Sequence, residues 1–220
     1  SRMKNGTGGQ TGMETELKVV EVDGVDYIFD MEDTYLKADI GRAFKQHFDG
    51  EDVKPIDIHT TLQYKICAVG VAAGYKLFVP FKNRNSKIEN GLTIQSSFGV
   101  HIVDSFKGMT NITREIDVIL LEETEEGFIP VRSYEVENST GVVSGISRMK
   151  ALDCHGVIVS PHQQYKDKFD KYMEESFKEM KGLVTYKSSR NVFRFSESVE
   201  EFQDDAFSKE EIKELITKKM

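Results

Sequence analysis

Residues 114–152 read REIDVILLEETEEGFIPVRSYEVENSTGVVSGISRMKAL, and they decide the architecture. Two strand-like runs, 113–122 and 128–137, carry carboxylates at alternate positions. Asp117 sits in the first, within Ile116-Asp117-Val118. A charge inside so apolar a run is expensive unless it is paired or bound to metal. Glu135 and Glu137 sit in the second and share a face, because side chains alternate along a strand. Glu115 shares the face of Asp117 on the same ground and is a candidate helper. Three carboxylates converging between adjacent strands form an oxygen ligand set for a divalent ion. Such an ion activates water and offsets charge on a phosphate.

Downstream, Asn138, Ser139 and Thr140 offer cap residues for a helix expected to run to about residue 153. That helix would aim its first N–H groups at the carboxylates, where a phosphate is welcome. Residues 156–160, GVIVS, are apolar throughout and read as an interior strand. The strand-helix-strand unit should cross over right-handed and pair 128–137 with 156–160 in parallel. An amphipathic helix is expected over 163–181, burying Phe169, Tyr172, Met173, Phe177 and Met180, before a short strand at 183–187.

Upstream, Pro55 opens a helix expected over 56–75, with Leu62, Ile66, Val69 and Ala73 as its apolar stripe. Its second half is small (Gly70, Ala72, Ala73, Gly74), which suits close packing on a sheet. Strands are expected at 76–81 and at 99–103 within a polar, glycine-containing stretch. Residues 17–22 and 25–30 flank Asp23-Gly24, a hairpin signal, and 34–48 reads as a helix. The domain reading is a flexible tail at 1–13, a hairpin-plus-helix subdomain at 14–54, a core at 55–195 and an acidic, then helical tail at 196–220. The expected class is α/β: a mixed central sheet with helices on both faces.

At 220 residues the chain is long enough for one good core. No apolar run approaches the roughly 20 residues that span a bilayer, and no secretory signal opens the sequence. A cytoplasmic protein is therefore expected, with Cys67 and Cys154 as free thiols. Cys154-His155 with His162 is too sparse for a zinc site. The glycines of 1–13 lack the ending of a phosphate loop, and no G-x-S-x-G, H-E-x-x-H or C-x-x-C occurs. The net charge of -8 runs against a nucleic-acid partner, but local basic patches set phosphate affinity. Candidate patches are Lys82, Arg84 and Lys87, and Lys187, Arg190 and Arg194.

The acidic pattern resembles the PD-(D/E)XK, or restriction-endonuclease-like, nucleases. Asp117 matches the first acidic position, Glu135 the second and Glu137 the third, where most members carry Lys. The block E-V-E-x-S-T followed by S-G-x-x-R-M-x-x-L, at 135–152, is similar to one subset tied to restriction and defence. That subset also carries an upstream H-x-x-x-Q, matched by His59 and Gln63, followed by glycines. The resemblance covers roughly residues 56–187. It implies a Mg²⁺-dependent endonuclease acting on DNA, with Mn²⁺ as a substitute ion and RNA left open. Asp117, Glu135 and the Val136 carbonyl would hold the ion, and Glu137 would bind or deprotonate the attacking water. Gln63 would support metal or water. His59, Ser139, Thr140 and Arg148 would face phosphate, or Arg148 would orient a carboxylate. The resemblance also admits a homodimer and a specificity domain or partner outside this sequence. Glu137 at the Lys position suits a metal-activated water, and it suits equally a non-catalytic binding module that kept the fold. An α/β interaction protein with merely solvated acidic strands is the third reading.

Overall fold

A computed structural model describes residues 4–5, 17–22, 25–30, 58–88, 91–137, 141–160, 163–201 and 208–220. The chain divides into two compact units, Ser1–Asp57 and Ile58–Met220. In the first, strands β1 (Lys4–Asn5), β2 (Leu17–Val22) and β3 (Val25–Asp30) form an antiparallel sheet in that order. β2 and β3 pair from Val22–Val25 to Leu17–Asp30, the register that a two-residue connection dictates. The helix expected over 34–48 lies outside the described residues.

In chain order, the second unit runs α1 (Ile58–Ala72), β4 (Lys76–Phe78), α2 (Ile94–Phe98), β5 (Val118–Thr124) and β6 (Gly127–Val136). It continues with α3 (Val142–Met149), β7 (His155–Ser160), α4 (Gln163–Glu175), β8 (Val184–Ser188), α5 (Ser189–Glu201) and α6 (Lys209–Lys219). The sheet order is β4-β5-β6-β7-β8. β4, β5 and β6 pair antiparallel, while β6, β7 and β8 pair parallel. This is the mixed sheet expected from the sequence, with 128–137 and 156–160 parallel neighbours.

Alternation along β6 sends Arg132 and Tyr134 to one face, and Ser133 and Glu135 to the other. α1 covers the first face. A Cβ on Gly70 would come within 2.6 Å of Leu120, so the helix backbone sits directly on the sheet. The expected stripe of α1 is buried: Leu62, Ile66 and Ala73 are 0% exposed. α5 and α6 pack beside α1. α3 and α4 cover the opposite face, where Ile146, Met149, Ile158, Phe169 and Met173 form one core cluster. Phe78, Phe106, Ile119, Leu121 and Leu152 form a second. Cys67 and Cys154 are both free, the first buried and the second half-buried.

Several local expectations are corrected. Residues 113–115 form a 3-10 turn, so Asp117 stands just before β5 and not inside a longer strand. Gly99–His101 is a 3-10 helix, and only Ile102 bridges the sheet, to Leu77. α3 begins at Val142 with Gly141 as its N-cap and no side-chain cap bond; Ser139 and Thr140 lie outside the described residues. The 163–181 helix ends at Glu175, and a 3-10 turn at Lys178–Met180 finishes the segment.

Candidate functional site

Extending the antiparallel register from Val118–Tyr134 by one residue sets Asp117 directly opposite Glu135. Directly opposed residues share a face at a Cβ separation of about 5 Å. The two carboxylates therefore meet at the N-terminal end of β5, and Glu137 follows two positions beyond Glu135 on the same face. All three lie inside the protein: the residues are 8%, 0% and 8% exposed.

Asp117 is held from three sides. His59 Nε2 lies 3.1 Å from Oδ2, Val136 N–H donates to Oδ2 at 2.9 Å, and Gln63 Nε2 donates to Oδ1 at 3.2 Å. His59 and Gln63 are one turn apart on α1, so they present one face. Gln63 also donates to the Asp117 backbone carbonyl at 3.3 Å. Its own Oε1 is buried with no partner among the described residues.

Glu135 is held by Arg148, which reaches across from α3. Arg148 Nε donates to Oε1 at 2.5 Å and Nη2 to Oε2 at 2.9 Å. This two-pronged bond is the geometry a guanidinium is built for. The same Nη2 lies 3.8 Å from Glu137. One guanidinium thus serves two buried carboxylates, and its own side chain is 27% exposed.

Gly141 and Gly145 bring α3 onto this cluster. A Cβ at Gly141 would collide with both carboxylate oxygens of Glu137, and one at Gly145 would stand 3.3 Å from Glu137 Oε1 and 3.4 Å from the Glu135 side chain. The Gly141 N–H donates to the Glu137 carboxylate. In the sequence Gly145 stands only as a letter of the S-G-x-x-R-M block, and Gly141 is not singled out. Their i, i+4 spacing on one helix face was the available signal.

The carboxylates shift together. Burial raises Glu135 to about 8, with Asp117 and Glu137 pushing the same way, against the opposing pull of Arg148. Burial and then the Asp117 charge raise Glu137. Burial raises Asp117, opposed by His59 and the Val136 N–H. Three desolvated carboxylates around one guanidinium leave negative charge uncompensated. The three carboxylates and the orphaned Gln63 Oε1 offer oxygens of the kind that suit a hard divalent cation. Among the described residues, no three His, Cys, Asp or Glu side chains are already arranged as a metal cage.

Every described candidate except Glu115 converges here. Glu115 sits on the 3-10 turn, where strand alternation does not apply, and bonds Lys82 at 2.6 Å on the surface. The first basic patch is also spent, since Arg84 bonds Asp104 at 2.7 Å.

A family model of the Type II restriction enzyme NmeDI C-terminal domain matches residues 43–218. The chain belongs to that family. Comparison with curated proteins and with solved structures finds no match. The NmeDI C-terminal domain match spans most of the second unit and so includes β5, β6, α3 and the whole carboxylate cluster. Among the described residues no helix is long and apolar enough to cross a membrane.

Proposed function

We propose that this NmeDI-family chain is a Mg²⁺-dependent endonuclease that hydrolyses phosphodiester bonds of DNA in a restriction system. The reading takes the PD-(D/E)XK roles, with Asp117 and Glu135 as the acidic pair and Glu137 in the usual Lys position. The observation that carries it is the buried cluster itself: Asp117 opposite Glu135, Glu137 beside them, and one guanidinium for three carboxylates. Clusters that desolvated are costly to the fold and are kept for chemistry.

Asp117 and Glu135 would hold the ion, with Gln63 Oε1 and the Val136 carbonyl as further oxygens. When bound, Mg²⁺ supplies positive charge against the phosphate and acidifies water. His59, the Val136 N–H and the Gln63 amide fix the orientation of Asp117. Glu137, raised toward neutrality by its surroundings, accepts the proton of the attacking water at a carboxylate oxygen. Arg148 orients Glu135, and its exposed edge faces the phosphate. Ser139 and Thr140, between Glu137 and Gly141 in sequence, would face the phosphate. A cytoplasmic setting, a second copy to cut the second strand, and specificity supplied from elsewhere complete the proposal. Mn²⁺ substitutes for Mg²⁺.

A second reading, a nucleic-acid-binding module without cleavage, rests on the two-pronged Arg148 bond that saturates Glu135. The two part on a melting experiment. With a real ion site, millimolar Mg²⁺ or Mn²⁺ raises the melting temperature by mass action, and Asp117→Asn abolishes the rise. No rise in the parent sinks the nuclease reading.

A further inference from the structure

Several surface cations of the second unit are matched by carboxylates. Lys82 faces Glu115, Arg84 Asp104, Lys107 Glu126, Lys150 Glu179 and Lys181 Glu174. One concavity departs from this pattern. A cleft of about 340 Å³ between β8, α5 and α6 is lined by Lys187, Asn191, Phe195, Ser198, Lys218 and Lys219, with no carboxylate among its described lining residues.

Of its three ammonium groups, Lys218 pairs with Glu214 outside the cleft. Lys187 spends one N–H on the Lys218 carbonyl at 3.3 Å. Lys219 has no carboxylate partner among the described residues. The favourable field at the C-terminus of α6 accounts for Lys218 and Lys219 taken singly. It does not account for Lys187, which belongs to β8 and converges on them from another element. Asn191 adds an amide at the start of α5, where Ser188 Oγ accepts from the Asn191 N–H.

The cleft's position relative to the carboxylates follows from the sheet. Register runs Val136–Val159–Lys187 across β6, β7 and β8, all parallel. Lys187 is therefore level with Val136, two strands away at about 10 Å by the usual strand spacing, and shares the face of Val136, opposite to that of Glu135 and Glu137. Both features sit at the C-terminal edge of the three parallel strands. Duplex DNA carries one charge per about 1.7 Å of axis. A duplex lying across that edge, with one phosphate at the carboxylates, can place others at the cleft.

We propose that this cleft is a second contact for the DNA backbone, gripping phosphates beside the one at the carboxylate cluster. The proposal rests on the nuclease reading and adds to it the direction in which DNA leaves the site. The grip is charge-based and independent of base sequence.

The test is binding of a fluorescent duplex to the full chain by anisotropy across a salt series, with Ca²⁺ as the divalent ion. Each phosphate contact contributes about 0.9 to the slope of log affinity against log salt. Lys187→Gln with Lys219→Gln should lower affinity about tenfold or more at moderate salt and reduce the slope by about 2. Lys171→Gln, an exposed lysine on α4, controls for bulk charge, and unchanged melting temperatures establish that the variants fold. A parent that binds, with the double variant binding alike or Lys171→Gln losing as much, overturns the cleft and leaves the nuclease reading standing. A parent without salt-dependent DNA affinity overturns both.

Discussion

Arg148→Met isolates what the guanidinium does. In the parent its two bonds, at 2.5 and 2.9 Å, meet a Glu135 side chain that is 1% exposed. Removing one partner of a buried pair costs about 3–5 kcal/mol when the orphan stays charged. Glu135 has an escape, because burial already lifts it to about 8. Below that pH it takes a proton in the variant, and the loss falls toward the value of the hydrogen bonds alone, about 1–2 kcal/mol. A carboxyl raised in the folded state binds more protons folded than unfolded, so stability falls as pH rises from the unfolded value toward the folded one. For the parent this decline ends near 8. For Arg148→Met the folded value moves higher still, and the decline continues. Urea unfolding should therefore show a gap of about 1–2 kcal/mol near pH 6 that widens by about 1 kcal/mol, to about 2–3, near pH 9. A gap that is constant across this range would refute the claim that Arg148 works by compensating Glu135.

The same charge argument fixes the sign for metal: stabilisation by Mg²⁺ should grow from about pH 6 to 9, since the ion competes with protons for the carboxylates, and a flat response in calorimetric melting would contradict it. Gly141→Ala drives a methyl into the Glu137 carboxylate; a loss of about 1–3 kcal/mol in urea should accompany a weaker Mg²⁺-induced melting shift, and an unaltered shift would show that Glu137 tolerates displacement. Ile158→Ala opens a cavity between β7 and α3 and should remove about 2–5 kcal/mol, lowering the melting temperature by about 2–4 °C per kcal/mol, with the Mg²⁺ shift retained; loss of that shift would tie metal binding to the core packing.

What the sequence disclosed and what it concealed divide along a physical line. Alternation along 128–137 placed Glu135 and Glu137 on one face, and the 3.6-residue period picked out Leu62, Ile66 and Val69, because these are local regularities. The partner of Glu135 was not local. Arg148 lies 13 positions along the chain, and its reach depends on how α3 is seated, which Gly141 and Gly145 set by close approach. The opposition of Asp117 and Glu135 required the hairpin register, which shifts at a bulge between Leu120 and Leu121. α5 was missed because its composition is polar, although Val192, Phe195 and Val199 repeat at helical spacing and are all buried. The cleft at Lys187 was half visible: its strand lysine stood in the sequence patch, while Lys218 and Lys219 join it only through the packing of α6.

The central claim is tested most directly by incubating supercoiled plasmid and modified phage DNA with the chain and Mg²⁺ or Mn²⁺, beside Glu135→Ala. Cutting by the parent, and none by the variant, is the predicted result. Equal cutting by both, or no cutting by a parent that binds both Mg²⁺ and DNA, would contradict it.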